Sequence, residues 1–286
     1  MQPLNAAASP DATALVERLQ SSQHSLDTHS ALGDVTLVAA DFSPTPKRRA
    51  EQRTEQWVMQ LGSELPKLIR PDGVSLCIDY RKGKPGYRAA QTNRAQQPLA
   101  RALGIAKLSE TERNQWHIVD GTAGAGADGW QLAAAGANVT LVEQHPVLFT
   151  MLQHAVQAAL IHGPSHSIAR RVGVVSNTIE NALANDQGFK FGQANALYLD
   201  PMYPPRRSTA AVKKPMQFIQ ALVGSGPDPV TMLERCLGAL DKPELQRVVV
   251  KRPSEAEALI SASVWRGQLV SVDAGAARFD VYLKPA

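Results

Sequence analysis

The segment ALYLDPMYPP, Ala196 to Pro205, runs a short apolar stretch into Asp200 and then places three prolines within five residues, around Met202 and Tyr203. Proline fixes φ and removes a backbone donor, so the peptide after Asp200 is a stiff loop leaving the end of a buried strand. Such a loop suits the handling of a planar aromatic amine. The lone pair of that amine is delocalised into its ring, and fixed oxygens that accept its N–H hydrogens turn the lone pair toward an electrophile. The Asp200 carboxylate and the Pro201 carbonyl are two such acceptors, and the ring of Tyr203 can stack on a base. The competing reading is that Asp200 caps the next helix while the prolines only stop a strand.

A second stretch complements the first. GAGADG, Gly124 to Gly129, satisfies G-x-G-x-x-G between an apolar strand and a helix, and Glu143 ends the next strand nineteen residues after Gly124. This frame fits a dinucleotide such as NAD or FAD. It also fits S-adenosylmethionine, and Asp120, Gly121 and Thr122 ahead of the frame favour that reading, because they lengthen the loop beyond a tight pyrophosphate turn. Gly124 and Gly126 let the backbone approach an amino-acid moiety, and Glu143 can accept both ribose hydroxyl hydrogens. A glycine-rich turn without any ligand is the plain alternative.

Both loops need a scaffold that brings strand ends together. From Trp116 onward strands alternate with helices: HIVD, WQLAAAGA, NVTLVEQ, HPVLFTMLQHAVQAAL, RRVGVVS, TIENALAN, ALYLDP, DPVTMLERCLGAL and RVVVKRP, closing with an antiparallel pair, QLVSVDA and RFDVYLKP. This order predicts an α/β fold, a mostly parallel doubly wound sheet with ligands at the carboxyl ends of the strands. The strand ending at Asp200 is the fourth, which puts it beside the first and near the glycine loop.

Upstream, VTLVAADF (35–42) and VSLCIDY (74–80) read as strands, and the charged stretch from Lys47 to Leu65 as a helix. QQPLARALGI reads as a further helix. The expected organisation is an N-terminal extension over 1–34, a small α/β region over 35–110 and the main domain over 111–286.

The 286 residues suffice for a full hydrophobic core, and 44% hydrophobic with 20% charged residues is ordinary for a globular protein. The net charge of +4 and pI near 9.1 permit a polyanionic partner without requiring one. Cys77 and Cys236 stand far apart, so neither a disulfide framework nor a thiolate metal site is expected. No secretory signal or membrane span is legible, which points to a soluble cytoplasmic protein. The histidines form no helical ligand pair, since Gly163 and Pro164 interrupt His162 and His166, and no metal is expected.

Basic residues fall in two groups. Arg81, Lys82, Lys84 and Arg88 surround a Gly-Pro turn, while Arg206, Arg207, Lys213 and Lys214 follow the proline loop. Both groups are placed to meet RNA phosphates, the second beside the base pocket, and Lys251 and Arg252 are expected on the same rim. The alternative for any of them is solvated surface.

Taken together, IVDGTAGAGADGWQLAAAGANVTLVEQHP, LYLDPMYP followed by AVKKPMQFIQALVG, and RVVVKRP with RFDVYLKP resemble the bacterial small-subunit ribosomal RNA guanine-N2 methyltransferases, from about Val74 to the C-terminus. The resemblance implies a Rossmann-like, seven-stranded class I methyltransferase domain with S-adenosylmethionine as donor. It implies transfer to the exocyclic amine of one guanine in small-subunit (16S) rRNA, free or in the assembled subunit. By motif match the donor contacts fall at Ala127 and Asp128, Glu143 and Gln144, Asn177 and Thr178, and Asp200. Ala127 and Gln144 depart from the family, which carries arginine at both positions. Other readings remain open at this level: an amino-methyltransferase acting on another RNA or DNA base, a nicotinamide-dependent oxidoreductase, and a non-catalytic RNA-binding protein of ribosome assembly.

Overall fold

A computed structural model describes residues 35–38, 57–60, 65–82, 96–161, 165–185, 193–202, 214–224 and 226–285. Eleven strands and eight α-helices lie within them. In chain order they are β1 (Val35–Val38), β2 (Trp57–Gln60), β3 (Lys67–Ile69), β4 (Ser75–Cys77), α1 (Pro98–Ala102), α2 (Glu110–Gln115), β5 (His117–Asp120), α3 (Ala127–Ala134), β6 (Asn138–Glu143), α4 (Pro146–Ile161), α5 (His166–Ala169), β7 (Val172–Ser176), α6 (Ile179–Asn185), β8 (Ala196–Leu199), α7 (Lys214–Val223), α8 (Pro229–Gly238), β9 (Arg247–Pro253), β10 (Leu269–Asp273) and β11 (Ala277–Leu283).

The main sheet has the order β10-β11-β9-β8-β5-β6-β7, with β11 antiparallel to both its neighbours and the other pairings parallel. Strands covered on both faces must be apolar nearly throughout, and β8 is buried at all four positions. Side chains alternate across the sheet. Ile118, Leu141, Tyr198 and Val249 enter one core with Trp130 of α3 and Met151 of α4. Val119, Val142, Leu197, Leu199, Val248 and Val250 enter the other with Ile179 of α6 and Met232 and Leu233 of α8. The chain reverses direction across the sheet between β5 and β8, so the crevice for a ligand opens there.

Helix starts follow capping chemistry. Ser109 and Glu112 form a reciprocal capping box on α2. The Asp228 carboxylate accepts the Thr231 N–H ahead of Pro229 in α8. Helix α3 begins at Ala127, earlier than WQLAAAGA suggested, because Gly126 at φ 65° turns the chain directly into it, so Asp128 lies in the first turn.

The N-terminal strands form a separate sheet, β1-β2-β3-β4, parallel between β1 and β2 and antiparallel thereafter. The expected helix from Lys47 to Leu65 is corrected in part: Trp57–Gln60 is a strand in register with β1, and 47–56 and 61–64 lie outside the described residues. Burial decides it. Val58 and Met59 are buried and Trp57 meets Phe218 of α7 edge-on at 5.0 Å, so the apolar WVM triplet pairs and packs despite its charged surroundings. The strand expected over 74–80 is shorter, β4 ending at Cys77, and Ile78 to Lys82 continue as a strap toward the main domain. Strand β3 and helices α2, α5 and α7 are additions to the sequence reading. Helix α1, upstream of the boundary drawn at 110, packs against β10 and β11.

Tyr80 fastens the strap. It is wholly buried, lies face to face with Trp130 at 4.3 Å with planes 4° apart, and donates its hydroxyl to the Ala125 carbonyl at 2.9 Å. The Ser165 hydroxyl donates to the Tyr80 carbonyl at 3.3 Å. A Cβ on Gly126 would sit 2.2 Å from the Tyr80 hydroxyl, so the second glycine of the frame is needed both for its positive φ and for this contact.

Candidate active site

A cavity of about 650 Å³ opens at the carboxyl ends of β5, β6, β8 and β9. That volume is within the usual range for ligand pockets. The glycine loop forms one wall, Asp200 to Met202 another, and residues 76–80 and 82 of the N-terminal strap a third.

Strand register assembles the polar side of the pocket. Asp120 pairs with Tyr198, and Leu199 with Val250, so one further residue along β8 and β9 brings Asp200 beside Lys251. Asp120, Tyr198, Asp200 and Lys251 all have the parity of the face covered by α3, which carries Asp128. Lys251 Nζ donates to Asp200 Oδ2 at 2.7 Å and to Asp128 Oδ2 at 3.0 Å, and the Tyr198 hydroxyl donates to Asp128 Oδ2 at 2.6 Å.

A further bond ties the two signature loops together, from the Asp200 N–H to Thr122 Oγ1 at 2.7 Å. Thr122 in turn donates its N–H to Asp120 Oδ1 at 3.2 Å, and the Gly121 N–H reaches the Tyr198 carbonyl at 2.9 Å. At the far end of the pocket Glu143, buried, accepts the Gly124 N–H on Oε2 at 2.8 Å and the His145 N–H on Oε1 at 2.7 Å. The Asn177 N–H donates to the Glu143 carbonyl, and Asn177 Oδ1 accepts the Thr178 N–H at 2.9 Å, which lays the start of α6 against the cavity.

Burial among like charges dominates the electrostatics. Asp120 is held well above the ordinary carboxylate range by burial and by the charges of Asp128, Asp200 and Glu143. Glu143 is raised by burial to about 7 despite its backbone donors. Asp200 is raised by burial, with Lys251 pulling against the rise. Lys251 is itself lowered by burial, but Asp128 and Asp200 outweigh that and leave it above the usual lysine range. The Tyr198 phenol is raised by burial and by the three aspartates.

The carboxylates of Asp128 and Asp200, with Asp120 buried behind them, therefore face one ammonium group, Lys251, at this end of the cavity. That set suits a cationic nucleoside. A pyrophosphate would meet net negative charge, and the Asp128 carboxylate already occupies the first turn of α3, where an anion would bind.

Of the residues singled out from sequence, Asp120, Gly121, Thr122, Gly124, Ala127, Asp128, Glu143, Gln144, Asn177, Thr178, Asp200 and Pro201 all line this cavity. Gly126 does not line it, because it turns away to seat Tyr80. Arg81 is held by Asp79, its Nε 2.9 Å from Oδ1, while Lys82 lines the cavity. Tyr203, Lys84, Arg88, Arg206, Arg207 and Lys213, and the side chain of Lys214, lie outside the described residues. Among the described residues, no cluster of His, Cys, Asp and Glu could hold a metal ion, and no helix is long and apolar enough to cross a membrane.

Lys251 is the main correction. Expected on the rim among phosphate contacts, it instead points at two carboxylates, because β9 ends next to β8 with Lys251 on the Asp200 face. A lysine directly after the apolar run VVV of β9 was the available signal. Tyr198, two residues before Asp200 and so on the same face, carried a similar one. The strap wall had no sequence signal of comparable strength.

A family profile described as "Putative SAM-dependent methyltransferase" matches residues 46–284. Among curated relatives, a ribosomal RNA small subunit methyltransferase J of Thioalkalivibrio sulfidiphilus is 37% identical over 218 residues, covering 76% of this chain and 79% of its relative. That of Idiomarina loihiensis is 36% identical over 231 residues, covering 80% and 81%. Among solved structures, the SAM-dependent methyltransferase NGO1261 of Neisseria gonorrhoeae aligns with a TM-score of 0.57 at 25% identity, covering 87% of this chain and 96% of the other. The dinucleotide reading of the glycine frame is thereby set aside. With its reversed β11, its acidic pocket at the β5–β8 switch point and this extent of similarity, the chain belongs to the family of S-adenosylmethionine-dependent methyltransferases that includes the small-subunit ribosomal RNA methyltransferases J.

Proposed function

We propose that this enzyme transfers a methyl group from S-adenosylmethionine to the exocyclic N2 amine of a guanine in small-subunit ribosomal RNA. The observation that carries the reading is the attachment of Asp200 to the glycine loop through Thr122, which sets an amine acceptor at the donor pocket. The relatives named above supply the acceptor class.

In this reading Glu143 accepts the ribose hydroxyls, Asn177, Thr178 and Gln144 lie beside the nucleoside, and Asp120, Gly121, Thr122, Gly124, Ala127 and Asp128 surround the amino-acid end; all of them line the cavity. Ala127 and Gln144 are exposed at the pocket, so the contacts proposed there are made by backbone or by the Gln144 amide in place of arginine. When bound, the donor supplies an electrophilic sulfonium methyl group.

Asp200 Oδ1 and the Pro201 carbonyl hold the amine hydrogens and so direct the nitrogen lone pair, and Asp200 offsets the positive charge that develops on nitrogen. Alignment of the two reacting centres contributes much of the remaining acceleration. Tyr203 is proposed to stack on the base, and Arg206, Arg207, Lys213 and Lys214 to meet phosphates, with Arg81, Lys82, Lys84 and Arg88 as a second contact. The guanine must leave its stack to enter, and the strap wall, which Tyr80 fastens to the glycine loop, is a surface it would meet.

The test is transfer of labelled methyl from S-adenosylmethionine to small subunits, and separately to their naked rRNA, from cells lacking the protein, with mass spectrometry of the digested nucleosides. N2-methylguanosine at one site is the expected product. Label on another base, or in DNA only, would overturn the assignment of the acceptor.

A further inference from the structure

We propose that Lys251 is a positioning residue for the transfer reaction: its ammonium group, clamped between the carboxylates of Asp128 and Asp200, keeps Asp200 charged and turned so that Oδ1 is offered to the acceptor amine. The inference rests on the role given to Asp200 above and goes beyond it by naming what makes that role possible in a buried acidic pocket.

The geometry is specific. Lys251 Nζ takes Asp200 Oδ2 at 2.7 Å, while the Asp200 N–H is tied to Thr122. Both ends of the residue are thus fixed. Oδ1 carries no hydrogen bond to any described residue and is the oxygen left for a substrate hydrogen. The same ammonium group reaches Asp128 at 3.0 Å, and Asp128 is held from its other side by the Tyr198 hydroxyl at 2.6 Å. Four side chains from β8, β9 and α3 therefore share one network, which restricts each of them more than any single pair would.

Charge gives the second reason. The groups facing Asp200 are Asp120 at the end of β5, Asp128 on α3, Tyr198 on β8 and Lys251 on β9, with Glu143 and, on α6, Glu180 elsewhere around the cavity and Asp79 and Lys82 on the strap wall. Burial raises Asp200, the charge of Asp128 raises it further, and Lys251 opposes both. Without the ammonium group, two carboxylates share one lysine-sized space, and such a pair retains a proton to higher pH. A protonated Asp200 is a poor acceptor for an amine hydrogen.

Two other roles fit less well. As a general base Lys251 would have to be neutral, and the two carboxylates hold it in its charged form. As a phosphate ligand it would have to leave both partners, with its side chain only 30% exposed.

The experiment is the single-turnover transfer rate as a function of pH for the full-length protein and for K251Q, K251R and D128N, with donor affinity and thermal melting measured on each. For K251Q the acid limb moves up by at least one pH unit, so that the rate is tenfold or more below the unsubstituted enzyme on the acid side and approaches it at alkaline pH. K251R restores the original limb. For D128N, which removes the carboxylate charge beside Asp200, the limb moves down. D128N decides the matter even if K251Q does not fold.

A K251Q rate reduced by the same factor at every pH, or a D128N limb that stays in place or rises, would overturn the proposal. Failure of the unsubstituted enzyme to methylate a guanine amine would instead overturn the function proposed above. The two failures are read from different samples.

Discussion

The backbone N–H of Asp200 and the hydroxyl of Thr122, seventy-eight residues apart in sequence, are hydrogen-bonded at 2.7 Å, and this bond ties the proline loop to the glycine loop. Replacing Thr122 by Val leaves a half-buried N–H without its acceptor, at a cost of about 1–3 kcal/mol. T122V is expected to lower the transfer rate about tenfold or more with donor affinity changed only a few-fold, and T122S to restore most of it. Rapid-quench transfer assays with calorimetric donor binding check this; loss in T122S with activity kept in T122V would show that the methyl group and not the hydroxyl matters.

Asp200 itself separates binding from chemistry. D200N keeps the shape of the pocket but donates with its amide where a carboxylate accepted, and loss of one preorganised electrostatic group typically costs ~100- to 1,000-fold in rate. Donor affinity should remain within about tenfold. Full transfer activity in D200N would remove Asp200 from the mechanism.

Glu143 gives a pH signature. Burial raises its pKa from 4.5 to about 7, so the folded protein holds that proton more tightly than the unfolded chain does. The associated stability is complete below about pH 4.5 and is lost as pH rises through 7, on the order of 3 kcal/mol at ~1.4 kcal/mol per unit. E143Q, which cannot ionise, should lack this component. Between pH 5 and pH 8 the melting temperature of the unsubstituted protein should therefore fall relative to that of E143Q. Donor binding should show the opposite trend, strengthening through pH 7 as the carboxylate becomes a full acceptor, and the variant should bind about tenfold or more weakly at pH 8 without that dependence. Parallel melting curves for the two proteins would contradict the assignment.

Gly126 and Tyr80 test the strap. Alanine at Gly126 combines a left-handed conformation, φ 65°, with a Cβ 2.2 Å from the Tyr80 hydroxyl, and overpacking of this kind costs about 1–3 kcal/mol in addition to the strain. G126A should melt several degrees lower and lose acceptor methylation as the strap shifts. Y80F, which loses only the bond to the Ala125 carbonyl, should cost about 1 kcal/mol. Thermal melts of the two variants, with transfer assays, distinguish a seat for Tyr80 from a direct role of Gly126 at the donor.

Much of the main domain was legible because its signals are local. Near-continuous apolar runs mark β5, β6, β8 and β9, the glycine frame marks the first strand-to-helix turn, and Glu143 follows at a fixed interval. The N-terminal region was less so. Its charged surroundings suggested a helix across Trp57–Gln60, yet that segment is a strand, because β1 and β3 supply pairing partners that no local window contains.

The sequence by itself determined the alternation of strands and helices, the glycine frame and the proline loop, since each depends on residue types within one short segment. Only the tertiary structure decided that Lys251 meets Asp128 and Asp200, that Tyr80 closes onto Trp130, and that Gly126 serves the strap and not the cavity wall. Those contacts span 123, 51 and fifty residues, or depend on which side a glycine presents. They arise from the order in which β5, β8 and β9 lie side by side and from the parity of each residue on its strand. A pattern read along one segment fixes that parity but not which neighbour will stand across from it.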